Sequence, residues 1–196
     1  MLQINIKPNL FDRNRKLIIS QDLITYEDSD WKNISDTTFK KGEIVGFRFG
    51  IEPIKGYIFT IGWLYRVDIK GNDNRIMKIR FTSLYNIRNK QLQEKYSAII
   101  DAFFDNHQDN IINRYIEIFN THSKVEILET TIKWDSVQFN GNNIFYHDLG
   151  VKEYAGYFTL FSKSNPKIYK AYNYRNDWNA AVVYSICKRL MAENGF

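Results

Sequence analysis

No Gly or Pro occurs between Gly71 and Gly141. A stretch that long without a breaker invites a helix, because nothing in it forces a turn or removes a backbone donor. The periodicity agrees. Leu92, Tyr96, Ile99, Ile100, Phe103, Phe104, His107, Ile111, Ile112, Tyr115, Ile116 and Phe119 recur at spacings of three and four, which lines one face of a helix. The positions between them carry Lys90, Glu94, Lys95, Asp101, Asp105, Asp109 and Arg114. The spacing predicts a helix over 89–120, bent or broken within 105–110, where Asp105-Asn106-His107-Gln108-Asp109-Asn110 has poor propensity. A second amphipathic helix is predicted over 177–193. Asp177 caps it, and Trp178, Val182, Val183, Ile186, Cys187 and Leu190 form its buried stripe.

Strand-like sequence precedes each helix. The first half reads as strands over 16–20, 23–26, 44–49, 57–61, 65–70 and 75–81; the second over 125–128, 131–134, 136–139, 144–147, 157–162 and 167–172. Turns at 70–74 and 163–166 close the last hairpin of each half. Aromatic residues reach 16%, and Ile is abundant while Ala is scarce, a bias that suits pleated, half-buried surfaces. The order of strands, helix, strands, helix reads as a repeat. Its last hairpins correspond, with Arg75-Ile-Met-Lys78 matching Lys167-Ile-Tyr-Lys170.

The charge is +5, from 27 basic and 22 acidic residues. It is spread along the chain: 1–121 holds 18 basic and 15 acidic groups, 122–196 holds 9 and 7. With no basic block in either half, this reads as an evenly solvated surface, and nucleic acid is not expected as a partner. An apolar share of 44% excludes a disordered chain. No apolar run reaches the roughly 18 residues of a membrane helix, and the N-terminal residues lack a signal-peptide core. Together with a lone Cys187, which has no internal disulfide partner, these features lead us to expect a soluble cytoplasmic protein. Abundant Ile, Asn and Lys with little Ala fits an AT-rich bacterial genome.

Enzyme constellations are thin. His107 falls on the apolar face of the long helix, His122 at the junction of the halves, and His147 beside Asp148 on a strand, where adjacent residues face opposite ways. No two histidines share metal-ligand spacing, and Cys187 falls on a buried stripe. Gly46-x-x-x-Gly50 lacks the third glycine and the following helix that dinucleotide binding needs. The carboxylate pairs Asp28/Asp30 and Asp105/Asp109 sit in a polar turn and on a helix surface. Neither catalysis nor any cofactor or metal is expected.

A half built of antiparallel strands and closed by one C-terminal helix resembles the pleckstrin-homology (PH-like) fold. The likeness rests on Leu23-Ile-Thr-Tyr26, Tyr57-Ile-Phe-Thr-Ile-Gly-Trp63, the 70–74 hairpin with Arg75-Ile-Met-Lys-Ile-Arg-Phe81, and the helix from Asn89. In the second half it rests on Val137-Gln-Phe139, Ile144-Phe-Tyr-His147, 157–162, 167–172 and the Asp177 helix. The resemblance implies an α+β protein: two PH-like half-open antiparallel β-barrels in tandem, each capped by an amphipathic helix, over 1–121 and a smaller 122–196. The chain also resembles small bacterial proteins of the Bacteroidetes type, from which no activity carries over.

In lipid-binding PH-like proteins, basic residues cluster in the loop between the first two strands. The corresponding 27–36 stretch here carries Glu27, Asp28, Asp30 and Asp36 against Lys32 alone, which repels a polyanion. Membrane lipid is therefore not expected as a partner. Trp31, at the tip of this acidic loop, is the aromatic least easily placed in a core. With Asp28 and Asp30 it forms the candidate binding site, an aromatic anchor in a polar rim. A groove between the halves, where Tyr115, Phe119 and His122 meet Trp134, is a second candidate. The expected function is a non-catalytic binding or scaffold module acting on another protein, with toxin neutralisation as its leading specific form. The rivals are a small enzyme or ligand carrier using the barrel mouth, and phosphoinositide or membrane-surface binding.

Overall fold

Seven strands and a helix occur twice in the computed structural model, which describes residues 1–28 and 36–196. The chain divides into two units, Met1–Asn110 and Ile111–Phe196, so the division runs inside the long helix. Asp30 and Trp31 lie outside the described residues.

The first unit opens with β1 (Leu2–Ile6), β2 (Arg15–Ile19), β3 (Leu23–Tyr26) and β4 (Thr37–Lys40), an antiparallel meander in that order. A second meander follows: β5 (Ile44–Lys55), β6 (Thr60–Gly71) and β7 (Ile76–Leu84). Then come α1 (Asn89–Phe103), one π-helical turn over Phe104–Gln108, and α2 (Asp109–His122). The weak 105–110 stretch thus widens the helix by a π-turn instead of ending it. Asn106 Nδ2 donates to the Ala102 carbonyl over 2.7 Å at the start of that turn. A side chain that competes for backbone acceptors is what weakens helix propensity there.

The core of this unit follows from strand alternation. Tyr65, Val67 and Ile69 on β6 face the same way as Met77, Ile79 and Phe81 on β7, and all six are buried. Helix α1 packs on β1, β2 and β7 with Leu92, Ile99, Ile100 and Phe103. Phe103 stacks on Phe47 of β5, the ring centroids 3.7 Å apart. The Tyr65 hydroxyl donates to Asn89 Oδ1 over 2.6 Å and so pins the start of α1 to β6. At Gly71, a Cβ would lie 2.5 Å from the Phe39 ring, so only glycine lets β6 approach β4 that closely.

The second unit repeats the plan. A four-stranded meander, β8 (Lys124–Ile127), β9 (Thr130–Lys133), β10 (Ser136–Phe139) and β11 (Asn142–Phe145), precedes a three-stranded one. That is β12 (Leu149–Glu153), β13 (Tyr157–Ser162) and β14 (Tyr169–Asn173), followed by α3 (Ala180–Glu193). Leu128-Glu129 and Asn140-Gly141 take positive φ at both positions, the twist that two-residue hairpin turns need. Val182, Val183, Ile186, Cys187 and Leu190 are buried as the stripe predicts, whereas Trp178, also placed on it, precedes the helix and is only half-buried. Asp177 does not cap the helix. Its Oδ2 accepts from the Asn173 amide over 2.7 Å, and Asn179, with φ 64°, stands at the helix entrance instead. Arg88 takes the same left-handed conformation before α1, φ 59°.

The protein is therefore α+β, with four antiparallel sheets. One predicted strand is overturned. Residues 57–59 form the turn between β5 and β6, and the strand begins only at Thr60. No helix among the described residues is long and apolar enough to cross a membrane.

Candidate binding surface

The β5–β6 hairpin ends in three consecutive apolar side chains that no described residue covers: Tyr57 is fully exposed, Ile58 is 85% exposed and Phe59 64%. The turn is closed by the Gly56 amide, which donates to the Phe59 carbonyl over 2.8 Å. Strand pairing is fixed on both sides, with Lys55 opposite Thr60 and Ile54 opposite Gly62. A Cβ at Gly62 would lie 2.0 Å from the Ser83 carbonyl oxygen, so β7 presses against β6 here as only glycine permits. The tip thus stands on long paired strands, with a register shift between Ile54 and Lys55 just below it, and its side chains reach into solvent.

More exposed apolar groups stand at the same end of the sheet. The Tyr85 amide donates to the Ile61 carbonyl over 2.7 Å, which brings the β7–α1 connection beside the start of β6. Tyr85 and Ile87 of that connection are both exposed. Tyr85, Asn86 and Arg88 all have positive φ, between 50° and 59°, a costly conformation for side chains with a Cβ. Contiguous exposed apolar groups are uncommon on a protein surface and mark interaction sites.

The outer face of the same sheet is basic. In register across the three strands stand Arg48, Asp68 and Lys78, and beside them Gly50, Arg66 and Arg80. Asp68 is only 1% exposed because three guanidinium groups close over it. Arg48 Nε donates to its Oδ2 over 2.9 Å, Arg66 approaches the same oxygen at 3.5 Å, and an Arg80 terminal nitrogen pairs with Oδ1. Arg66 also lies 3.6 Å from Glu52. One buried carboxylate holding three guanidiniums fixes their planes, since each is a rigid fork of donors.

Of the residues singled out from sequence, those among the described residues fall elsewhere. Asp28 accepts from the Thr37 amide over 3.3 Å and from the Thr37 hydroxyl, and its own carbonyl accepts from Arg15 over 2.9 Å. It fastens the start of β4. His107 is fully buried in the π-turn beside Phe103, and neither ring nitrogen has a hydrogen bond of ordinary geometry. Burial pulls its pKa below the usual 6.5, with the Ser20 backbone acting weakly the other way. Burial also pushes the Cys187 thiol up to about 12.

His147 and Asp148 lie in the turn after β11, not on a strand. Asp148 is turned to Ser162 and Ser164: their hydroxyls donate to Oδ2, over 2.5 and 2.9 Å, and the Ser164 amide to Oδ1 over 2.7 Å. These bonds, Ser162's first, hold its carboxyl below the usual range. Phe119 and Trp134 meet edge to face, 4.7 Å apart, within the second unit.

Sequence reasoning missed both halves of this surface. The tip was hidden because apolar residues next to a strand read as more strand. The basic face was hidden because its charges recur every second residue on three strands and never form a run. No protein-family model, no curated protein and no solved structure matches the chain.

Proposed function

We propose that the protein is a non-catalytic interaction module that holds another protein through the β5–β6 hairpin tip. The observation that carries this reading is the exposure of Tyr57, Ile58 and Phe59 together at the end of a paired hairpin. A rigid aromatic and aliphatic anchor loses little entropy on binding and buries a large area, which is how a few residues come to dominate an interface. The repeated order of a four-stranded meander, a three-stranded meander and one helix supports a tandem of two PH-like units.

The reading is tested by affinity capture from the native host with the intact chain and with a Tyr57→Ser/Ile58→Ser/Phe59→Ser variant. The expected result is a defined protein retained by the intact chain and lost with the variant, whose melting temperature is unchanged. Retention of the same proteins by both would overturn it.

A further inference from the structure

We infer that the partner is an acidic protein, whose carboxylates dock on the outer face of β5–β6–β7. This rests on the protein-module reading and names the chemistry of the partner. The face carries Arg48, Arg66, Lys70, Lys78 and Arg80 against Glu52 and Asp68. Its surplus of three positive charges is most of the formal +5 of the whole chain, gathered on one side of one sheet. Asp68 pairs with three guanidiniums and offsets only one of their three charges. Arg80 spends donors on Asp68 and on the Val67 and Ile79 carbonyls, and Arg66 on Asp68 and Glu52, so what the face offers a carboxylate is net positive charge held in place.

The layout favours a protein over the other polyanions. Arg66 stands six residues beyond Thr60 on β6, about 20 Å up the strand at roughly 3.3 Å per residue. A bilayer that received the apolar tip would leave these cations about two Debye lengths (near 8–10 Å each) above its surface. Beside the tip stands a single exposed cation, Lys55, and the next charged residue along the face is Glu52, opposite Leu64, which an anionic headgroup would avoid. Nucleic acid finds no aromatic on this face to stack a base; its uncharged positions are glycine, aliphatic or threonine, as at Gly50, Leu64, Ile76 and Thr82. A folded partner contacts tip and face at once.

The probe is a fluorescein-labelled short oligoglutamate peptide, followed by anisotropy with the full chain. The expected result is binding that weakens as salt rises and falls about tenfold in a Lys70→Glu/Lys78→Glu variant, with Arg66→Gln acting in the same direction. Lys78 stands opposite Asp68 on β7, so the single variant Lys70→Glu, which leaves that neighbour unchanged, is measured beside the double one and is expected to weaken binding in the same direction. The triple tip variant keeps full affinity for the peptide. No binding, affinity indifferent to charge reversal, or tighter binding to single-stranded DNA or phosphatidylserine vesicles would overturn the inference. If capture depends on the tip while oligoglutamate fails, the acidic partner is wrong and the module reading stands. If oligoglutamate binds while capture ignores the tip, the reverse holds.

Discussion

Arg48 and Asp68 occupy paired positions on β5 and β6, and the 2.9 Å bond from Arg48 Nε to Asp68 Oδ2 anchors a cluster of three guanidiniums. Removing the carboxylate leaves those cations converging on an empty centre. Asp68→Ala is expected to cost about 3–5 kcal/mol in urea unfolding, as for a buried pair stripped of one partner. A loss within the scatter of ordinary surface substitutions would mean that the cluster is only solvated charge.

The tip behaves oppositely. Tyr57 and Ile58 contribute almost nothing to the folded core, so Tyr57→Ala and Ile58→Ser should each shift stability by no more than about 0.5 kcal/mol. Phe81→Ala, on the buried face of the same sheet, should cost about 3–5 kcal/mol. Comparable melting shifts at the two kinds of position would show that the tip packs against something.

His107 gives the first unit a pH dependence. The folded pKa lies below the ordinary 6.5 because burial disfavours the charged ring. The unfolded chain therefore binds the proton more readily. Stability is full above 6.5 and is lost as the pH falls from there toward the lowered folded value. His107→Leu should flatten that part of the stability–pH curve and, by removing a buried polar ring, leave the protein no less stable at neutral pH. An unchanged slope in the variant would assign the dependence to another group.

Cys187 should react with a thiol reagent only through unfolding, since it is buried on α3 and its thiol is pushed to about 12. The labelling rate of the native protein is expected to fall with added stabiliser in step with the unfolding rate. Labelling as fast as in the denatured chain would contradict the burial of that helix face.

Much of the fold was legible from pattern. Leu23–Tyr26, Ser136–Phe139 and Tyr157–Ser162 are read to the residue, because short alternating runs lie between polar turns. β4 escaped because Thr37-Thr-Phe-Lys40 buries only Phe39; pairing with β3, not its own pattern, makes it a strand. β12 escaped because Gly150 and Lys152 interrupt it; a Cβ at Gly150 would strike the Phe161 ring of β13, a constraint visible only once the two are paired. β1 alternates clearly in Leu2-Gln-Ile-Asn-Ile6, but a terminal strand has meaning only with its neighbour β2. The surface was least legible. Apolarity in Tyr57-Ile-Phe59 looks the same whether it serves a core or a partner, and charges on alternate residues of three strands come together only when the sheet forms.

The protein-module reading is tested most directly by a benzophenone photo-crosslinker placed at Phe59 of the intact chain, irradiated in the native host. The expected result is one discrete protein adduct, absent when the same crosslinker replaces exposed Tyr169 in the second unit. Adducts only to lipid, or the same adducts from both positions, would contradict the claim that this hairpin tip binds a protein partner.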